Sequence, residues 1–431
     1  RVGLNRTTTG HRAGRNSKGP KTRKRIARAM TPKPRSLLDQ ATVGLGQTRA
    51  QLRRNGVFAV VKLVLLPVGC HTNRPETTSS QSVTAGGTAP ITTDSLHRLA
   101  LVIDLHNDAL YYHTRGLKDI TRLSDSLQAD IPRLLAGGVD AAVFAIWPNP
   151  HRLHPHQYAR FVLDALDTLA QICRRESASI AIARSPEELL DIVASGRVAA
   201  IAAIEGGHAV QGDLSLLDTF YNRGVRLITL TWNNSNQLAD AAADPAKPHS
   251  GLSSLGFKAL RRMNELGIIV DISHASPMTL SDVIDSSRSP VIASHSGSAA
   301  ICPRSRNLSD DQLKAIASKH GVIGIIFYPP CLRIDRENAS LDDILDQLDY
   351  LKKLVGPDHV ALGSDFDGLM GPAPSGIEDA TRYPFITAGL RQRGWSDTDI
   401  RKALGENFLR VWQEVCEVAR STPKRYLTPT R

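Results

Sequence analysis

Leu101-Val102-Ile103-Asp104-Leu105-His106-Asn107-Asp108 is the stretch from which the rest of the chain can be read. An apolar run closes on two metal-type ligands, His106 and Asp108, two residues apart. A strand alternates its side chains with a period of two, so both can face the same way where a strand runs out into a loop. Barrel enzymes keep their chemistry at that end of their strands. A His-x-Asp pair alone is as readily a polar turn, and the remaining sequence has to decide.

Apolar runs of strand length recur at 100–106, 139–147, 198–205, 225–232, 267–274, 290–295, 321–328 and 359–365. Between them, stretches such as 213–222, 252–266, 278–286, 309–319 and 341–355 carry apolar residues at helical spacing. Eight such units predict an α/β chain folded as a (β/α)8 TIM barrel. An open doubly wound sheet is the alternative, but no Gly-x-Gly-x-x-Gly follows the first run.

A barrel strand buried on both faces should read as apolar throughout, so an ionisable residue at its last position needs a reason. Five runs end in such residues: His106 and Asp108, Glu205, His274, His295 and Asp365. Each taken singly reads as a satisfied hydrogen-bonding residue; together on one rim they do not. Three His and three carboxylates exceed the needs of one catalytic zinc, which takes about three protein ligands. Two metals sharing a carboxylate use them economically, and such a pair makes its bridging water acidic enough to attack a carbonyl. Hydrolysis of an amide or ester is the reaction class that follows.

The formal charge of +11 is unevenly spread: residues 1–70 hold 16 Lys or Arg against Asp39 alone, leaving about −4 for residues 71–431. The basic segment 1–56 lacks apolar periodicity and is expected to be a disordered or non-native extension; no nucleic-acid partner is expected for it. Arg53-Arg54, the apolar run 57–68 and Gly69-Cys70 read as a secretory signal, too short to span a bilayer comfortably. Leu66-Pro67-Val68-Gly69-Cys70 resembles a bacterial lipoprotein cleavage box, with Pro67 where such boxes prefer Leu. On this reading 57–70 is a signal or lipoprotein segment with Cys70 lipidated, 71–98 a flexible linker, 99–420 the barrel and 421–431 a tail. The expected location is the bacterial periplasm or cell envelope.

From about Leu99 to Arg420 the chain resembles the membrane (renal) dipeptidase family of zinc peptidases. The resemblance rests on Ile103–Asp108, Ile204-Glu205-Gly206-Gly207-His208, Leu227–Thr231, Val270–His274, Ser294-His295-Ser296, Arg304-Ser305-Arg306-Asn307 and Gly363–Gly368, with Gly405–Val411 near the end. It implies two zinc ions per chain, one held by His106 and Asp108, the other by His274 and His295, with Glu205 bridging. It places Asp365 beside the bridging hydroxide as the proton carrier, with Asp367 a weaker candidate. It gives Arg306 the substrate's C-terminal carboxylate. Mammalian members place a substrate-contacting His after Leu230-Thr231, where this chain has Trp232-Asn233; an Asn could still donate to an oxyanion. Trp232 and Asn233 are therefore expected to line the substrate pocket, and so is Tyr328, from its place at the end of the seventh run. His208 is expected to act only behind the ligands, and His151, His154 and His156 to lie in a solvated loop. The resemblance further implies a Cys302–Cys331 disulfide, dipeptides as substrates and a homodimer as an assembly to be tested.

Two other readings share the motifs. Another binuclear metal hydrolase would act on a cyclic amide, N-acyl amino acid or lactone, yet no Lys stands at the end of the fourth run to be carboxylated. A non-catalytic peptide-binding lipoprotein would keep the barrel without the chemistry, although all five ligands and Asp365 are present. Mn²⁺, Fe²⁺ or Co²⁺ could also occupy such ligands.

Overall fold

The structure, a computed structural model, describes residues 92–422. The expectations for 1–56, 57–70 with Cys70, the linker up to residue 91, and the tail beyond 422 lie outside the described residues. Within them, nine parallel strands form one sheet: β1 Ile103–Asn107, β2 Ala141–Ile146, β3 Ile180–Ile182, β4 Val198–Glu205, β5 Val225–Thr229, β6 Ile269–Asp271, β7 Val291–Ser296, β8 Val322–Ile325 and β9 Val360–Leu362. Eight run in the order β1-β2-β4-β5-β6-β7-β8-β9 as a nearly closed barrel with helices between. β9 returns to β1 at the C-terminal ends, where the amide of Asp108 donates to Phe366 O (2.8 Å) and that of Asp365 to His106 O (2.9 Å).

β4 shows how the sequence builds this. All eight of its residues are buried, and it alternates between two apolar faces. Ala199, Ile201 and Ala203 join a cluster with Leu227, Ile269, Ile292, Val322 and Ala361 from the other strands. Phe408 and Trp412 of the helix Asn407–Ser421 pack into the same cluster. Ala200, Ala202 and Ile204 join the larger cluster shared with the surrounding helices. The period that sends Ala199, Ile201 and Ala203 to one face sends Glu205 there too, at the strand's last position.

Two features depart from the sequence reading. β3 was not expected: Ile180–Ile182 pairs with β4 at Val198–Ala200, on the edge that β5 takes over from Ala202 onward. Residues Thr93–Leu99, assigned to the flexible linker but for the last, form a helix capped by Thr92. Its His97 is buried, with its ring nitrogens 2.7 Å from Thr387 Oγ1 and 2.9 Å from Gly137 O. No helix among the described residues is long and apolar enough to cross a membrane.

The strands close so tightly beside the site that two positions have no room for a side chain. A Cβ on Gly363 would lie 1.8 Å, and one on Gly324 2.1 Å, from Ser294 O. Gly363→Ala is expected to cost about 3 kcal/mol, read as a lowered thermal midpoint, whereas Gly371→Ala, with open space around it, should leave the midpoint nearly unchanged.

Candidate metal centre

Five strand ends deliver the ionisable residues to one mouth, and they do so by breaking regular strand geometry. The β1–β2 register shifts between Asp104 and Asn107, and the β7–β8 register between Ala293 and Ser296, so His106 and His295 both sit in irregular segments. Such irregularities re-aim a side chain that strict alternation would place elsewhere. His274 and Asp365 lie three residues beyond β6 and β9 and take left-handed backbone, at φ 66° and 59°. Strained positions of this kind gather at functional sites.

Glu205, 5% exposed, stands at the centre. Its Oε1 is 3.0 Å from His274 Nε2 and 3.6 Å from His295 Nε2, while its Oε2 is 3.8 Å from His106 Nε2. One oxygen thus faces each half of the site. Asp108 and Asp365 stand 3.6 and 3.9 Å from the same His106 nitrogen. Gly368 makes room for both carboxylates, since a Cβ there would lie 2.3 Å from Asp108 Oδ2 and 2.5 Å from Asp365 Oδ1.

Hydrogen bonds fix which ring nitrogens carry lone pairs. Ser294 Oγ donates to Asp271 Oδ2 (2.6 Å), so it accepts from His295 Nδ1 (2.7 Å). Asn233 Oδ1 accepts from His274 Nδ1 (2.9 Å). Both rings then present bare Nε2 atoms, which lie only 3.1 Å apart and face Glu205 Oε1. Burial first, and then the nearby cationic groups His106 and Arg306, hold both imidazoles well below their usual pKa and so neutral. Three lone pairs converge there, a donor set that suits a cation. In the other half, both ring nitrogens of His106 are buried and lack a hydrogen-bond partner among three carboxylates. Three overlapping sets, His106/Asp108/Glu205, Glu205/His274/His295 and His106/His295/Asp365, each bring atoms that could ligate a metal within 4.8 Å of one another. The residues therefore fit metal ions in both halves, with Glu205 common to the two.

Without a cation the carboxylates hold protons. Burial pushes Glu205 up to about 8 against the pull of His106, and burial with the charge of Asp108 pushes Asp365 up to about 7. Burial opposes protonation of His106, but Glu205, Asp108 and Asp365 outweigh it and lift it to about 10.

Asp271 and Asp104 are the groups that the sequence reading quoted but gave no role. Asp271, fully buried, accepts from Thr229 Oγ1 (2.6 Å), Ser273 N (3.0 Å), Ser294 N (2.9 Å) and Ser294 Oγ, tying together the ends of β5, β6 and β7. Asp104 accepts from Ser364 N (2.8 Å) and Oγ (2.7 Å), tying β1 to the segment after β9. Their signal was a buried carboxylate two or three residues ahead of each His.

The remaining candidates divide. Arg306 donates to His295 O (2.9 Å) and Ser296 Oγ (3.2 Å), which places its guanidinium beside the cluster, whereas Arg304 is exposed. Trp232 is half-buried with its ring 6.4 Å from that of His274. Tyr328 is half-buried at the start of the short helix Pro329–Leu332 and packs on the core. Asn233 turns its oxygen to His274, which orients that ring, and its exposed side chain keeps the amide nitrogen for a further partner. Asp367 accepts from the Gln128 and Ala129 amides (both 3.0 Å), which makes it a loop clamp and not a second proton carrier. His208 bonds Pro148 O (2.9 Å) behind Glu205. The expected Cys302–Cys331 bridge is absent: both are buried free thiols. Asn307 Nδ2 joins their two loops instead, donating to Cys302 O and Cys331 O at 2.8 Å each.

Comparison with known proteins places this geometry. The sequence model of the family described as membrane dipeptidase (peptidase family M19) matches residues 92–426. The dipeptidase verJ of Clonostachys rogersoniana is 34% identical over 338 residues, 74% of this chain and 85% of that protein. The dipeptidase tcpJ of Claviceps purpurea is 32% identical over 336 residues, 76% of this chain and 77% of that protein. Among solved structures, the probable dipeptidase PvdM from Pseudomonas aeruginosa is similar with a TM-score of 0.70 and 28% identity, covering 76% of this chain and 98% of that one. A metallopeptidase from Rhodobacter sphaeroides, liganded with a phosphinate mimic of the dipeptide L-Ala-D-Ala, gives a TM-score of 0.69 and 28% identity, covering 73% and 99%.

Two measurements check the site. Asn233→Leu removes the acceptor that orients His274, and metal-ion affinity measured by chelator competition is expected to fall about 10- to 100-fold. In metal-stripped protein, Asp365 binds its proton more tightly folded than unfolded, so stability is lost as pH rises from about 4 through 7. Asp365→Asn keeps that stability; denaturant melts should show the variant gaining on the parent across this window and no further above it.

Proposed function

The chain belongs to the membrane dipeptidase family, and from that premise we propose that this metal-dependent dipeptidase is a two-zinc enzyme cleaving dipeptides with free termini. The observation that carries the reading is Glu205, whose two oxygens address separate sets of ligands. His106, Asp108 and Glu205 would hold one ion, and Glu205, His274 and His295 the other. When bound, the ions supply Lewis acidity, acidifying water to hydroxide near neutral pH and polarising the scissile carbonyl.

The chain's own groups do the rest. Asp365, held by left-handed backbone at the mouth, accepts the proton of the attacking water at its carboxylate and returns it to the departing amine. Arg306, fixed by His295 O and Ser296 Oγ, pairs its guanidinium with the C-terminal carboxylate of the substrate. Trp232 stands where the family's mammalian members carry an imidazole, so substrate positioning falls to the indole face and to Arg306. The L-Ala-D-Ala mimic bound by the Rhodobacter relative supports acceptance of a C-terminal D-residue. The basic flank, the apolar run and Cys70 support export to a bacterial envelope with lipid attachment, which Cys70→Ser would abolish in a palmitate-labelling experiment.

Purified protein is expected to hydrolyse L-L and L-D dipeptides. Asp365→Asn should lower kcat about 10²- to 10⁴-fold with metal retained. Arg306→Ala should act mainly on KM, raising it about 10- to 100-fold. Turnover of a lactone or N-acyl amino acid, with every dipeptide inert, would contradict the assignment.

A further inference from the structure

Four aromatic rings stand in a row beside the second half-site. Trp232, in the loop after β5, packs on Trp147, in the loop after β2, with centroids 4.7 Å apart and planes at 44°. His151 meets Trp232 edge-on at 5.5 Å, and Tyr111 backs Trp147 at 5.5 Å. Asn149, buried, donates to the Tyr111 hydroxyl at 3.4 Å. The Trp232 ring also lies 6.4 Å from the His274 ring. Neither Trp147 nor Trp232 is fully buried, and the other two tryptophans, Trp395 and Trp412, are core residues at 4% and 0% exposure. Two indoles, Trp232 beside His274 and Trp147 packed on it, therefore remain partly open to solvent.

The loops that supply this wall follow β2 and β5, which flank β4 with Glu205 between them. Arg306 lies beyond β7 on the other side of His274. A dipeptide whose carboxylate pairs with Arg306 and whose peptide bond lies at Glu205 brings its N-terminal residue to the wall. We propose that Trp147 and Trp232 form a subsite for the side chain of that N-terminal residue and select planar, aromatic side chains there; this rests on the dipeptidase reading above. Offset or tilted ring contacts add to simple area burial, and a wall of indoles gives little to a methyl group.

The test uses the zinc-loaded full chain and two series of dipeptides, Xaa-Ala and Ala-Xaa, with Xaa Ala, Leu, Phe or Trp. The ratio of kcat/KM for Phe-Ala over Ala-Ala is expected to be at least about tenfold, with little spread across the Ala-Xaa series. Trp147→Ala and Trp232→Ala should each collapse that ratio toward one, and Trp232→Phe should keep most of it. A ratio near one in the parent, or a ratio that both alanine variants preserve, overturns the subsite. Binding of the same dipeptides to Asp365→Asn, followed by indole fluorescence, reads the subsite without turnover. If no dipeptide is hydrolysed, the peptidase reading fails while tighter binding of Phe-Ala than Ala-Ala would still uphold the wall; equal binding would overturn it.

Discussion

Glu205 is a carboxylate buried at the end of a wholly buried strand, with two bare imidazole nitrogens facing one of its oxygens and the His106 ring facing the other. Such an arrangement is costly in the absence of a cation, because lone pairs converge where water is excluded. The surrounding structure holds it regardless. Asp271 and Asp104 clamp five strand ends from beneath, Ser294 and Asn233 fix the two imidazoles, and glycines at 324, 363 and 368 let backbone and carboxylates approach. The barrel spends its rigidity on keeping unlike ligands close together before any ion arrives, which is how a preorganised site avoids rearrangement at the moment of reaction.

The same constraint accounts for where the fold is irregular. A straight β7 would carry His295 on the face opposite to Ile292, and a straight β1 would carry His106 opposite to Leu105, yet Ile292 and Leu105 share one interior cluster. Register shifts in both strands, and left-handed residues after β6 and β9, bring all the ligands to one mouth. The price of these breaks is met by the regular part of the barrel, where β4 pairs with β2 over six consecutive residues.

Much of this was legible in the sequence. Apolar runs ending in His, Asp or Glu foretold eight barrel strands and the cluster of ionisable residues at their ends, because burial on both faces leaves few other reasons for such residues. The barrel needs no side-chain detail to be read, only spacing. β3 escaped because three residues of Ile-Ala-Ile between helices carry too little pattern. The length of β6 was overread, since His274 belongs to the loop and not to the strand. Roles set by neighbours distant in sequence also escaped: Asn233 acquires its function only by meeting His274, and Asp367 only by meeting Gln128. The thiols of Cys302 and Cys331 lie on neighbouring loops as expected, but an asparagine amide makes the connection assigned to a disulfide.

Glu205 as a ligand common to two ions is the claim on which the chemistry stands. Crystals of the zinc-loaded protein, measured on both sides of the zinc absorption edge, test it directly. Two anomalous peaks are expected, one among His106, Asp108 and Glu205 and one among Glu205, His274 and His295. A single peak, or a pair in which Glu205 contacts only one ion, would contradict it.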